Sequence, residues 1–291
     1  MTNKVALIGA GVMGSAIGTR LLETGNQLSV YDLDCDRSAA LVAKGACAAP
    51  TAAAAAQASD FVILSLNSAE IVRSAVFGIK GVAEGARAGT LIIDMSSIDP
   101  EATRSLAGDA AERGLAWLDC PLSGGAPKAM TGELTVMAGG TSDDFERSKT
   151  VMQLLCANYT LMGSSGAGQT TKLINQVLCA LNFVAVAEAT QLALDAGVDA
   201  VRIPEAIADG RADSAILQEY MAKMALKDYT PTGSISNMVK DLNGVQDLAR
   251  LTGTSMPLTA VCAEIHRVLV SAGLGSADNA ALMKYFEGPA A

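Results

Sequence analysis

Histidine is almost missing from this sequence: His266 is the one example in 291 residues. A Ser-His-Asp hydrolase, a histidine-based dehydrogenase or a multi-histidine metal centre would each rest on that single side chain. It sits beside Arg267 in a late amphipathic segment and reads as a helix-surface residue, so acid-base work is expected from another residue type. Positive charge is also scarce. With 21 Lys and Arg against 30 Asp and Glu, the net charge is −9, which argues against nucleic acid, because phosphate binding calls for clustered basic side chains. A local lysine can still hold a small anionic substrate. Aromatics make up only 4% of the chain while half of it is hydrophobic, a balance that suits close helix packing around a sizeable core. The six cysteines, Cys35, Cys47, Cys120, Cys156, Cys179 and Cys262, form no C-x-x-C pair, so no zinc or thioredoxin-like site is signalled and no metal is expected. Several lie in apolar surroundings, where cysteine acts as a small hydrophobe, and they read as reduced thiols. The chain opens directly on a strand, without a basic region and cleavage signal, which places it in the cytoplasm by expectation.

What is present begins with Val5-Ala6-Leu7-Ile8, a short apolar run suited to a buried parallel strand. It leads into Gly9-Ala10-Gly11-Val12-Met13-Gly14, a G-x-G-x-x-G turn, then a helix that stops at Gly25 and a strand ending at Asp32. Gly9 permits the turn, Gly11 lets the backbone approach a pyrophosphate, and Gly14 lets helix and strand pack closely, with the helix N-terminus favouring the anion. Asp32 lies about eighteen residues after the last glycine, where an acid can bond ribose hydroxyls. It would repel a 2′-phosphate, so NAD is expected over NADP. Further strand-helix units follow: Phe61 to Leu66, with Asn67 at the carboxyl end; Leu91 to Asp94, followed by Met95-Ser96-Ser97; a helix capped by Asp99-Pro100; and Leu115 to Asp119. The repetition implies a Rossmann-type doubly wound parallel sheet, α/β in class.

Two later stretches carry candidate chemistry. Ser123-Gly124-Gly125, ahead of Ala126-Pro127-Lys128, offers a hydroxyl and unhindered backbone N–H groups of the kind that hold a carboxylate; an ordinary interstrand loop is the other reading. Gly163 to Gly168 is a glycine-rich turn opening a long apolar helix that runs to about Ala196 and carries Lys172 and Asn175. Three positions apart, those two share a helix face. Some 29 residues make a rod of roughly 43 Å. Apolar on nearly all sides, it is buried or membrane-spanning, and Lys172, Asn175, Glu188 and Asp195 disfavour the membrane. It is expected to join two domains and to be shared with a partner subunit. Beyond it, Ile203–Leu217, Tyr220–Leu226, Ile235–Leu251 and Leu258–Ala272 read as helices, which gives a dinucleotide-binding domain over 1–163 and an all-α C-terminal domain over 164–291, linked by the long helix. Lys240, in Lys240-Asp241-Leu242, is a charged helix position when read alone.

Four of these stretches resemble the β-hydroxyacid dehydrogenase family, in order and over essentially the whole chain. They are the glycine turn with Met13-Gly14, Asp119 to Gly132, Gly163 to Asn175, and Lys240-Asp241-Leu242. The resemblance implies Lys172 as general acid/base. It implies Ser123, Gly124, Gly125 and Asn175 as holders of the substrate carboxylate and hydroxyl, and Lys240 beside nicotinamide and substrate. Leu66, Asn67 and Ser97 would line the cofactor. The family usually has Leu-Pro where this chain has Leu66-Asn67, and alanine where Cys120 stands. Imine-reducing relatives lack the lysine, so its presence favours alcohol-carbonyl chemistry on a short hydroxy acid, in a homodimer or homotetramer. Ile93 to Ser97 and Gly124 to Ala129 look most like tartronate semialdehyde reductases; Leu66 to Ala69 and Asp228 to Pro231 look closer to L-threonate dehydrogenases. A nucleotide-sensing module on the same fold is the competing reading, though such readers usually carry extra domains or basic tails.

Overall fold

The computed structural model describes residues 2–287, and the chain divides into two compact units, Met1–Lys172 and Leu173–Ala291. The first unit contains nine strands: β1 (Lys4–Ile8), β2 (Gln27–Tyr31), β3 (Cys47–Ala48), β4 (Phe61–Leu64), β5 (Leu91–Asp94), β6 (Ala116–Asp119), β7 (Leu122–Ser123), β8 (Leu134–Gly139) and β9 (Cys156–Gly163). Between them run α1 (Val12–Glu23), α2 (Cys35–Ala43), α3 (Ala52–Ala56), α4 (Ala69–Phe77), α5 (Val82–Gly85), α6 (Pro100–Glu112), α7 (Gly125–Thr131) and α8 (Ser142–Met152). Helix α9 (Ala167–Asp195) begins in the first unit and ends in the second, where α10 (Ile203–Ala206), α11 (Ala215–Ala225), α12 (Ile235–Thr252), α13 (Pro257–Leu269) and α14 (Met283–Phe286) follow.

The uninterrupted apolar runs are the middle of the sheet. β1, β4 and β5 are buried at nearly every position, as strands covered on both faces must be. The order is β3-β2-β1-β4-β5-β6-β8-β7, with β9 paired to β8. From β3 to β6 the pairing is parallel. β8 then runs antiparallel to β6 and β7, and β9 lies parallel to β8. The chain order reverses between β1 and β4, the switch point at whose carboxyl side open α/β sheets take ligands. Helix starts follow the side chains before them. Thr51, Ser68 and Asp99 each accept a backbone N–H from the first turn of α3, α4 and α6, and Pro100 occupies a first-turn position where its missing N–H costs nothing.

In the second unit the hydrophobic core gathers Phe183 and Val186 from α9, Tyr220 and Met224 from α11, Leu242 from α12 and Leu269 from α13. By length and composition, Ala167–Asp195 and Pro257–Leu274 could each cross a membrane; their buried sides form this core instead. Two expectations are corrected here. A single helix over 203–217 is broken: Asp209 adopts φ +60°, its N–H bonds to the Asp213 carboxylate at 2.8 Å, and Ser214 caps a new helix that continues to Ala225. His266 is fully buried, not on a helix surface. Its helical neighbours on one face are Cys262 and Leu269, both in the core, and adjacency to Arg267 says nothing about that face. Burial holds the imidazole below its usual pKa, while a bond to the Cys262 carbonyl at 2.8 Å opposes the shift.

Candidate active site

The glycine turn has the shape its spacing implies. Gly9 has φ +95°, and a Cβ there would lie 2.4 Å from the Ser65 carbonyl oxygen. A Cβ on Gly14 would lie 2.0 Å from the Gly9 oxygen. Gly11 meets nothing within 4 Å, so the turn is closed toward the sheet and open toward solvent at one residue. α1 starts there with no side-chain cap, leaving its first N–H groups to an outside acceptor. Asp32, at the end of β2, ties the turn from the other side: its Oδ2 accepts the Ala10 N–H at 2.7 Å and its Oδ1 the Asp34 N–H at 2.9 Å.

A cavity of about 520 Å³ opens over this turn, lined by Gly9, Gly11, Asp32, Leu66 and Asn67 among the expected residues. Tyr31, Arg37 and Ser65 line it too and were not singled out by the sequence pattern; Tyr31 ends β2, Arg37 lies in the first turn of α2 and Ser65 follows β4. Ala10 and Gly14 are buried beneath the turn, Met13 is half-buried and Val12 points outward. A volume of this size, a backbone-lined anion seat and an acid at the ribose position fit a nicotinamide dinucleotide.

Ser97 follows β5 in a short loop whose anchors are buried. The Ser96 N–H bonds to Asp94 Oδ1 at 3.0 Å, and the Ser96 hydroxyl accepts the Leu66 N–H at 3.0 Å. The other Asp94 oxygen, Oδ2, is buried without a hydrogen-bond partner. Burial pushes the Asp94 carboxyl up to about 7 against the Ser96 bonds that lower it, with the Asp119 carboxylate adding to the rise. An acid whose folded pKa is raised binds its proton more tightly when folded. Stability is therefore full below the usual carboxylate range, falls as pH rises toward 7, and levels above it. Asp94→Asn removes the ionisation, so its stability relative to wild type should improve between pH 5 and pH 8. The change over that window is at most about 2.7 kcal/mol, the two pH units from 5 to 7 at about 1.36 kcal/mol each. Urea unfolding of both proteins at the two pH values checks this; a difference independent of pH refutes it.

Ser123 ends β7, and Gly124 and Gly125 take φ +122° and +69°, conformations only glycine adopts easily. They are exposed. Lys128 is exposed and lies on α7, and its stem fills the space a Gly124 side chain would need. α7 packs against α1, which ties this turn to the glycine-turn helix.

Lys172 is half-buried at the second turn of α9. Three residues earlier, Gln169 is fully buried and bonds to the Ser96 carbonyl at 2.8 Å, and side chains three positions apart are neighbours on a helix. In the second unit, Asn175 bonds to the Gln176 side chain at 2.9 Å, Gln176 donates to Asp241 Oδ2 at 2.6 Å, and Lys240 lies 3.6 Å from Asp241 Oδ1. Asn175 and Lys240, far apart in sequence, thus share one polar chain. Gln176 was the missing link; it follows Asn175 directly and faces α12. Gly244, where a Cβ would stand 3.3 Å from Leu173, lets α9 and α12 approach.

Comparison with known proteins agrees with both units. Residues 4–163 match the family described as the NAD binding domain of 6-phosphogluconate dehydrogenase, and residues 166–286 the one described as the NAD-binding of NADP-dependent 3-hydroxyisobutyrate dehydrogenase. The 2-hydroxy-3-oxopropionate reductase of Escherichia coli K12 is 36% identical over 98% of this chain and 97% of its own. The NAD-dependent L-serine dehydrogenase of Pseudomonas aeruginosa is 32% identical over 98% of both. Among solved structures, Mycobacterium tuberculosis 3-hydroxyisobutyrate dehydrogenase with L-serine superposes with a TM-score of 0.90 at 27% identity, covering 99% of this chain and 100% of that one. The chain belongs to the β-hydroxyacid dehydrogenase family and binds a nicotinamide dinucleotide.

Proposed function

We propose that this protein is a NAD-dependent oxidoreductase that interconverts a hydroxy acid of three or four carbons and its aldehyde or keto acid, with Lys172 as general acid/base. The observation that carries the reading is a full-length relationship to hydroxy-acid dehydrogenases and reductases; a lysine three residues after Gln169, whose side chain bonds to the loop after β5, supports it. When bound, the nicotinamide supplies the hydride acceptor or donor. The chain's own residues do the rest. Ser123, Gly124 and Gly125 hold the substrate carboxylate, Asn175 orients the hydroxyl, and Lys240 lies beside substrate and nicotinamide. Lys172 takes the hydroxyl proton in oxidation and returns one in reduction. Gly9 to Gly14, Asp32, Leu66, Asn67 and Ser97 seat the cofactor, and Asp32 favours NAD. The first unit binds the dinucleotide, and the helical unit serves substrate binding and oligomerisation.

A 3-hydroxyisobutyrate dehydrogenase or 2-hydroxy-3-oxopropionate reductase activity is the first choice, supported by the E. coli relative. L-Threonate oxidation is the second, supported by the 30% identical L-threonate dehydrogenase of Cupriavidus necator. NADH formation from 3-hydroxyisobutyrate, glycerate, L-threonate and L-serine, each with NAD and NADP, separates them; no turnover of any with either cofactor sinks the reading. We place the enzyme in the cytoplasm as a homodimer or homotetramer. Ile174, Leu178 and Leu192 of α9 are 55%, 60% and 69% exposed in the single chain, an apolar face that a partner subunit would cover. A monomeric mass by light scattering at micromolar concentration contradicts this.

A further inference from the structure

At the start of α9 the Ala167 N–H donates to the Ser164 carbonyl at 2.9 Å, and a side-chain cap comes from the sheet. Asp119, the last residue of β6, is fully buried. Its Oδ1 accepts the Gly166 N–H at 2.8 Å and its Oδ2 the Gln169 N–H at 2.9 Å. One carboxylate thereby satisfies two donors that a helix start leaves open, with a charge of the sign the helix N-terminus favours. The seat is cut to fit that group. A Cβ on Gly139 would lie 2.5 Å from Asp119 Oδ1, and one on Gly168 would lie 2.8 Å from Oδ2.

Gln169 fastens the same turn a second time. Its amide donates to the Ser96 carbonyl at 2.8 Å and accepts the Ile98 N–H at 3.3 Å. Ser96 in turn receives the Leu66 N–H, and Leu66 lines the dinucleotide cavity. The opening of α9 is thus pinned to the carboxyl ends of β4, β5 and β6. Lys172 follows Gln169 by three residues, about 4.5 Å along the axis and on the same face. A turn held at two buried points fixes the height and rotation of the Lys172 Cα, from which the amine reaches out.

We propose that Asp119 and Gln169 are positioning residues that set Lys172 against the cofactor's reactive end. The proposal rests on the reading of Lys172 as the general acid/base. Asparagine at 119 keeps the shape but offers one acceptor oxygen and turns an NH₂ toward a backbone donor, so one of the two helix amides is lost. A displacement on the order of 1 Å at a reacting group costs about 100-fold in rate.

The test is a double-mutant cycle in the full-length protein with Asp119→Asn, Lys172→Ala and the pair, using whichever of 3-hydroxyisobutyrate, glycerate, L-threonate and L-serine is oxidised fastest. Gln169→Met, which removes the strap while keeping its length, is a second arm should Asp119→Asn fold poorly. Each positioning variant should lower kcat by about 30- to 100-fold while KM for NAD stays within about threefold. Without cofactor, backbone amide hydrogen exchange over residues 163–172 should quicken by at least about tenfold, because protecting bonds are gone. In the Lys172→Ala background the same substitutions should change the residual rate by less than about threefold, since they act through the lysine. An equal loss in both backgrounds, or unchanged exchange and kcat, overturns the positioning role while leaving the lysine assignment intact. A near-normal kcat in Lys172→Ala alone overturns both.

Discussion

Lys172→Ala should bind NAD as wild type does and lose kcat by about 10³-fold, within the range that positioned acid-base groups contribute. Alanine is the best helix former, and the α9 start is held to the sheet by buried bonds of Asp119 and Gln169. The scaffold should therefore survive the substitution, and the effect should lie in turnover. The cofactor cavity is lined from the ends of β1, β2 and β4 and by α3, α4 and their connections, without Lys172, so dinucleotide affinity should be untouched. Lys172→Arg should be nearly as slow, because a guanidinium keeps its proton at any working pH and cannot exchange it with an alkoxide. NADH binding by fluorescence titration, beside kcat on the fastest substrate of the panel, separates the two effects. A kcat within about tenfold of wild type in Lys172→Ala would place proton transfer elsewhere.

The first unit was largely legible because its signals are local. An apolar run of four or five residues must be a covered strand, and a G-x-G-x-x-G between strand and helix leaves few alternatives; β1, β4, β5 and the Gly9 turn obey this. Asp99-Pro100 announced α6 by the same local logic. Strand β9 gave no such signal. It mixes half-buried and exposed positions and pairs with β8 at the sheet's end, so no continuous apolar run marks it. His266 was misjudged because its burial is decided by which face of α13 meets the core, a tertiary fact. The glycines around residue 166 show the limit most clearly. As sequence they look like a flexible lead-in to a helix, yet at 139 and 168 glycine makes room for a carboxylate 20 to 49 residues away in the chain. That pairing across strands is invisible until Asp119 and α9 are seen together. Likewise Asn175 and Lys240 each looked isolated, and only the fold links them through Gln176 and Asp241.

Asp32→Asn should weaken NAD binding by about 10- to 100-fold, the loss of a charge-assisted hydrogen bond of about 1.5–3 kcal/mol, and should improve NADP binding at the same time. Each Asp32 oxygen already accepts one backbone N–H, from Ala10 and from Asp34. A carboxylate oxygen has a second lone pair, so both ribose hydroxyls can still be met while the turn stays tied. Asparagine keeps one acceptor and presents an NH₂ to a backbone donor on the other side, so turn and ribose compete for the remaining oxygen. For NADP the balance differs. Its extra phosphate meets the Asp32 charge, with Asp34 also in the cavity wall; Arg37 and Lys80 line the same cavity, and Arg37 lies 3.3 Å from Asp34 and is partly neutralised by it. Removing the Asp32 charge lifts the nearer repulsion and leaves Arg37 in place. The ratio of NADPH to NADH dissociation constants should fall by at least about 100-fold, about 2.8 kcal/mol. The discrimination should also shrink with added salt in wild type, since these charges lie at a partly exposed cavity mouth. Fluorescence titrations of both reduced cofactors at two ionic strengths decide the matter. A ratio unchanged by the substitution would mean that the cofactor is chosen by groups other than the acid at the end of β2.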